Sequence, residues 1–125
     1  ILKSGGCIAV FPAGGVSTIT GWGDRLAQDN EWQPFIARLI LESRAAVVPV
    51  FFAGQNSTLF QWLSLLSPTL RLSLFLREVV RRIGGTISIT IGAPIPFETL
   101  APITDRATLC RELRARTYAL GGLYD

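Results

Sequence analysis

The chain has 125 residues, 49% hydrophobic and 17% charged, with a formal net charge of +3 and no histidine. That length fits one domain, and roughly two-thirds of the unfolded surface is buried at this size, enough for a core without staples. Positive mean hydropathy with few charges excludes a disordered chain, and without histidine these residues offer no Ser-His-Asp triad, histidine base or histidine-bearing zinc site.

In chain order, Cys7 to Phe11 is a short apolar run between Gly6 and Pro12 and predicts a buried strand. Pro12-Ala13-Gly14-Gly15 forbids regular structure, and a polar, glycine-bearing loop follows to about Glu31. Trp32 to Ser43 predicts a helix with Phe35, Ile36, Leu39 and Ile40 on one face and Pro34 in the first turn. Ala46 to Phe52 is apolar throughout and predicts a strand covered on both faces. Pro49 cannot donate to a ladder, so an edge, a bulge or a strand end beside a site is expected there. Asn56 or Ser57 caps a short helix, Thr58 to Leu66. Leu70, Leu72, Leu74 and Leu76 alternate with other residues and predict a third strand, with a helical turn or two over Arg77 to Ile83. Ile87, Ile89 and Ile91 alternate again in a strand from Thr86, ended by Gly92-Ala93-Pro94. Thr104 or Asp105 caps a last helix reaching about Leu120, with Leu109, Leu113 and Ala119 inward and Arg106, Arg111 and Arg114 outward. Strands alternating with helices define an α/β fold, here a small mixed sheet of about four strands with flanking helices. So small a sheet leaves an edge bare, and a homodimer paired through that edge is expected.

The remaining composition narrows the chemistry. Lys3 is the single lysine, and the arginines are scattered rather than gathered into the stripe that nucleic acid needs. Cys7 and Cys110 form no metal spacing, and both are expected as buried free thiols. Residues 45–70 carry no formal charge, yet Pro49, Gly54 and Pro68 interrupt the stretch, so one membrane-spanning helix is not expected. The segment Phe11 to Thr18 follows a predicted strand, where open α/β sheets place ligands. It holds neither GxGxxG nor a Walker lysine, so nucleotide binding finds no support. Its glycines either cradle an anion or simply form a tight turn.

Together with Val47-Val48-Pro49-Val50, this segment resembles two successive signatures of the glycerolipid or lysophospholipid acyltransferase family of the PlsC type. The family shows an FPEGTRS-like block ending one strand and a VxP-like block in a later one, and Pro12 and Pro49 stand at a comparable interval. The likeness continues through Phe51 to Ser57, Leu59-Phe60-Gln61, Ser67-Pro68, Leu70-Arg71, Arg77-Glu78 and Ile91 to Ile95. That fuller pattern is similar to the hemolysin-like branch, related to enzymes that acylate amino acids such as ornithine. It covers nearly the whole chain, so residues 1–125 are expected to be the carboxy-terminal part of one acyltransferase domain.

The resemblance implies transfer of a fatty acyl group from an acyl-carrier-protein or coenzyme A thioester to a glycerolipid or amino-acid-lipid acceptor, with no resident cofactor or metal. It also implies a bacterial protein on the cytoplasmic, inner face of the membrane, in peripheral contact with lipid. The family's base is the histidine of an HxxxxD motif upstream of the FPEGTRS block, so no catalytic residue falls in this chain, which opens on Ile1 and lacks methionine. This piece alone is expected to be inactive. Phe11, Pro12, Gly14 and Ser17 match the block, whereas its glutamate, threonine and arginine fall at Ala13, Gly15 and Val16. Loss of the arginine removes a bidentate phosphate ligand and argues against a glycerol-phosphate acceptor. Phe11, Pro12, Gly14, Gly15, Ser17, Gln55 and Asn56 are the candidate acceptor-binding residues. Asp24, Arg25, Asp29 and Glu31 can orient a polar acceptor or stand as solvated loop charges. Arg71, Arg77, Arg81 and Arg82, with Phe60, Trp62 and their leucine neighbours, can meet an acidic carrier protein or anionic headgroups, or pack in a core. The alternative to an enzyme is a non-catalytic lipid- or partner-binding domain on the same fold.

Overall fold

The computed structural model of the chain describes residues 1–15, 17, 28–54 and 68–122. Its elements are a 3-10 turn at Leu2–Ser4, α1 (Pro34–Ser43), β1 (Val50–Phe52), α2 (Pro68–Arg82), β2 (Ile89–Ile91), α3 (Phe97–Leu100) and α4 (Arg106–Ala119). The chain divides into two compact units. The first joins Ile1–Gly14, Glu31–Phe52 and Ile89–Asp125, and the second joins Gly15–Asn30 and Ala53–Ser88.

In the first unit, Gln33 is the extended residue before α1 and Pro34 takes the first helical position, where its missing N–H costs nothing. Ile36, Ala37 and Ile40 turn inward while Phe35 stays half exposed. The helix stops at Arg44, which adopts the left-handed conformation at φ 54°, and whose N–H donates to Ile40 O at 2.8 Å. Its guanidinium lies 5.2 Å from the Phe97 ring centroid, a cation–π contact that offsets part of the backbone strain. At the start of α4, the Asp105 carboxylate accepts from Thr108 N at 2.8 Å and from the Thr108 hydroxyl at 2.5 Å. Those bonds hold the Asp105 carboxyl below its ordinary pKa, the side-chain bond contributing most. Leu109, Cys110 and Leu113 on α4 then close on Ile36, Ala37 and Ile40 of α1, with Ile95 and Leu100 completing the core.

The sheet is two antiparallel strands with Val50 opposite Ile91, Phe51 opposite Thr90 and Phe52 opposite Ile89. A bridge between Val47 and Ile95, one residue out of the β1–β2 register, extends the pairing, with N–H···O bonds of 2.8 and 3.0 Å in the two directions. Pro49 sits in the gap between that bridge and β1, buried, with its carbonyl accepting from Gly92 N at 2.9 Å. The proline thus falls where the ladder needs an acceptor and no donor, which is why it is tolerated inside an apolar run.

Several expectations are corrected. The described residues form a two-stranded antiparallel sheet instead of a mixed sheet of about four strands. Residues 70–76 are helix, within α2, because the alternating leucines also satisfy helical spacing and leucine favours helix over strand. Residues 7–11 enter no ladder among the described residues, and Cys7 is exposed, while Cys110 is buried and also free. The strand around Pro49 is covered on one face only: Pro49 and Phe51 turn inward, and Val48, Val50 and Phe52 are exposed. Ala119 is exposed, and Arg114 lies half-buried against the Tyr118 ring, 4.9 Å from its centroid. The short helix expected at Thr58 to Leu66 lies outside the described residues.

The second unit contributes α2. Glu78 faces inward on it, while Leu76, Arg77, Val79, Val80, Arg81 and Arg82 are exposed. Ala53 N donates to Ser88 O at 2.9 Å within the same unit.

Candidate functional site

Phe11-Pro12-Ala13-Gly14 is a β-turn closed by Gly14 N donating to Phe11 O at 3.2 Å. Gly14 carries φ 65°, a left-handed value that explains glycine at this position without any ligand. The turn is fastened to α1: Gln33 N donates to Pro12 O at 3.0 Å. The Gln33 carbonyl in turn accepts from the Cys110 thiol, with Sγ at 3.6 Å, which ties the turn to α4 as well. Burial pushes the Cys110 thiol pKa up, so it serves as a neutral packing group rather than a nucleophile. Ala13 is buried beneath the turn, whereas the Phe11 ring projects with 75% of its surface exposed.

That projection meets the open face of the sheet. The Phe11 and Phe52 ring centroids are 6.3 Å apart. Because side chains alternate along strands, Val50 and Phe52 share a face with their partners Ile91 and Ile89, and all four are exposed. Phe11, Val48, Val50, Phe52, Ile89 and Ile91 therefore present apolar surface together in the first unit. Exposed apolar area of this kind marks binding of a lipid, a ligand or another protein surface. The opposite face is packed: Phe51 meets the edge of Tyr118 with centroids 6.0 Å apart.

The other candidates are distributed as follows. In the second unit, the Ser17 hydroxyl donates to the Asp29 carboxylate. Gly15 lies near the Asn30 amide, whose nitrogen would stand 3.5 Å from an added Cβ. Gln55, Asn56, Asp24, Arg25 and Val16 lie outside the described residues. Sequence reasoning missed the shelf of Phe52, Ile89 and Ile91, although the alternation of Ile87, Ile89 and Ile91 was its signal. An open hollow of about 310 Å³ is lined by Pro49, Gly92, Pro94, Pro96, Arg116 and Leu120. It offers little chemistry, since Arg116 is paired with Glu112 at 2.7 Å and neither Phe11, Pro12 nor Gly14 lines it. Among the described residues there is no cluster of metal-ligating side chains, and no helix is long and apolar enough to cross a membrane.

Over 98 residues the chain is 34% identical to a lyso-glycine lipid O-acyltransferase from Phocaeicola vulgatus, a similarity that supports an acyltransferase family. The aligned region covers 74% of this chain and 34% of that enzyme, so the chain spans about a third of the relative's length. No family profile matches the chain, and no solved structure does.

Proposed function

We propose that this chain is the carboxy-terminal part of a PlsC-type acyltransferase domain, of the hemolysin-like branch, that esterifies a lyso-lipid. The similarity to the lyso-glycine lipid O-acyltransferase carries this reading. Its O-acylation favours a hydroxyl acceptor over an amine, and Val16 in place of the family arginine favours an acceptor without a phosphate ester. The donor is an acyl-carrier-protein or coenzyme A thioester. The acceptor oxygen attacks the thioester carbonyl while a base takes its proton, the C–S bond breaks, and the thiolate leaves with that proton. The chain holds no histidine, and the base in this scheme is the histidine of an HxxxxD motif.

In this scheme Phe11 and the turn at Pro12 and Gly14 border the acceptor. The exposed apolar face of Val50, Phe52, Ile89 and Ile91 lines the path of an acyl chain. The protein works in the cytoplasm, peripheral to the inner face of a bacterial membrane, and copies pair through the free edge of the sheet. The buried Ala13, standing where the family has its glutamate, favours a second reading in which the domain binds lipid without turning it over. The complete coding sequence separates the two. If it encodes HxxxxD and its product releases thiol from an acyl thioester only when lyso-lipid is present, the enzyme reading stands; absence of the motif leaves the binding reading.

A further inference from the structure

We propose that a second copy of this chain covers the apolar face of the sheet, packed face to face about a two-fold axis. Phe11, Val48, Val50, Phe52, Ile89 and Ile91 present this surface and are 37% to 75% exposed. At roughly 150–200 Å² for a whole residue of this size, the exposed fractions amount to roughly 500–650 Å² on one copy. That stands at the top of the range for the largest apolar patch of a monomer. Two such faces together remove about 1,000–1,300 Å² from water, which clears the roughly 1,000 Å² that a specific protein interface needs.

Charge and shape select the occupant. No charged residue occurs in 5–15, 45–54 or 84–96, the stretches of sequence that carry this face. Anionic headgroups or an acidic carrier protein would call for cations on it, and a second copy calls for none. On a chain of net charge +3, an uncharged face also lets two copies meet without opposing like charges. The exposed side chains stand on paired strands, Val50 beside Ile91 and Phe52 beside Ile89, and sheet faces stack on one another about 10 Å apart. A contact in which both copies use the same patch closes on itself. Edge pairing is a different contact, since it covers backbone groups and leaves these side chains in water. The face is also the acyl path of the proposed function. Resting on that reading, a paired copy and an acyl chain exclude one another, so the face-paired dimer is the closed form.

Sedimentation equilibrium of the 125-residue chain at rising concentration tests this. The weight-average mass is expected to reach at least twice that of one chain, and to hold in high salt because no charge takes part. Ile89→Thr with Ile91→Thr keeps β-branched residues and the edge hydrogen bonds, and is expected to raise the dissociation constant at least tenfold. Ile91→Lys sets like charges across the contact and is expected to abolish it. Phe11→Ser lies outside the strands and is expected to weaken association with far-UV circular dichroism like the parent, so a folding defect in a strand variant does not decide the result. Association unchanged in all three variants assigns the pairing to the edge and overturns the inference. A monomer at every concentration overturns it too, as does association that high salt dissolves. Long-chain acyl coenzyme A, below its micelle concentration, is expected to lower the mass toward one chain, and a mass indifferent to it overturns the closed form. Thiol release by the complete protein is read separately, so failure of the acyl-transfer reading leaves the result on pairing standing.

Discussion

Gly92→Ala probes the junction that holds the apolar face in place. Gly92 pairs with Pro49 through the bond from its N–H to the proline carbonyl at 2.9 Å. A Cβ on Gly92 would lie 2.9 Å from Pro49 Cγ and 3.1 and 3.2 Å from the two Leu120 methyl carbons. Leu120 is half-buried near the end of α4 and can rotate away. The Pro49 ring cannot, since it is closed onto its own backbone and that backbone is bonded to Gly92. The clash therefore moves β1 against β2, and overpacking of this kind costs about 1–3 kcal/mol. Alanine returns about 0.4–1 kcal/mol by restricting the unfolded chain, leaving a net loss centred on about 1.3 kcal/mol, in a range of roughly 0–2.6 kcal/mol. Urea unfolding followed by circular dichroism and by tryptophan fluorescence measures it. A Gly92→Ala variant as stable as the parent, with an unchanged m-value, would refute the reasoning.

Other outcomes follow from the same contacts. Gly14→Ala meets open space, with Gln33 Cγ 4.0 Å from the added Cβ, so only its φ of 65° opposes it; the loss is about 1–2 kcal/mol in chemical denaturation, and smaller for Gly14→Asn. Leu109→Ala, in the fully buried centre of the core, costs about 2–5 kcal/mol by the same measurement, whereas the exposed Leu76→Ala stays within about 0.5 kcal/mol. The lowered Asp105 pKa makes its cap stabilising above the ordinary aspartate range, and that contribution is lost as pH falls through the folded value, so Asp105→Asn flattens the acid limb of a Tm-against-pH curve. The raised Cys110 pKa works in the opposite direction: stability is full below the ordinary thiol value and declines as pH rises through the folded one. A thiol reagent at neutral pH modifies exposed Cys7 rapidly and Cys110 only after denaturant is added.

The parts legible in the sequence are those where one local rule acts alone. Pro34 marks the start of α1 and Asp105 the cap of α4, because an imino acid and a capping carboxylate each have few other places to go. Leu109 and Leu113 are likewise inward as their spacing requires. Alternation misled where two periods fit the same residues: Leu70 to Leu76 satisfies a strand, yet Leu76, Val79, Val80 and Ile83 continue it at helical spacing. The core roles of Ile95 and Leu100 were invisible because a proline-rich approach and a four-residue helix carry no period. At the candidate site, the Phe11–Gly14 turn could be read from its proline and glycines. Its partner Phe52 could not, because an uninterrupted apolar run does not tell which face is covered.

Acceptor-dependent thiol release tests the central proposal most directly. The product of the complete coding sequence and the 125-residue chain are each given an acyl thioester, with and without the lyso-lipid acceptor. The account predicts release by the complete protein only when acceptor is present, and none by the histidine-free chain. Acceptor-dependent release by the 125-residue chain alone, or none by the complete protein with either donor class, would contradict it.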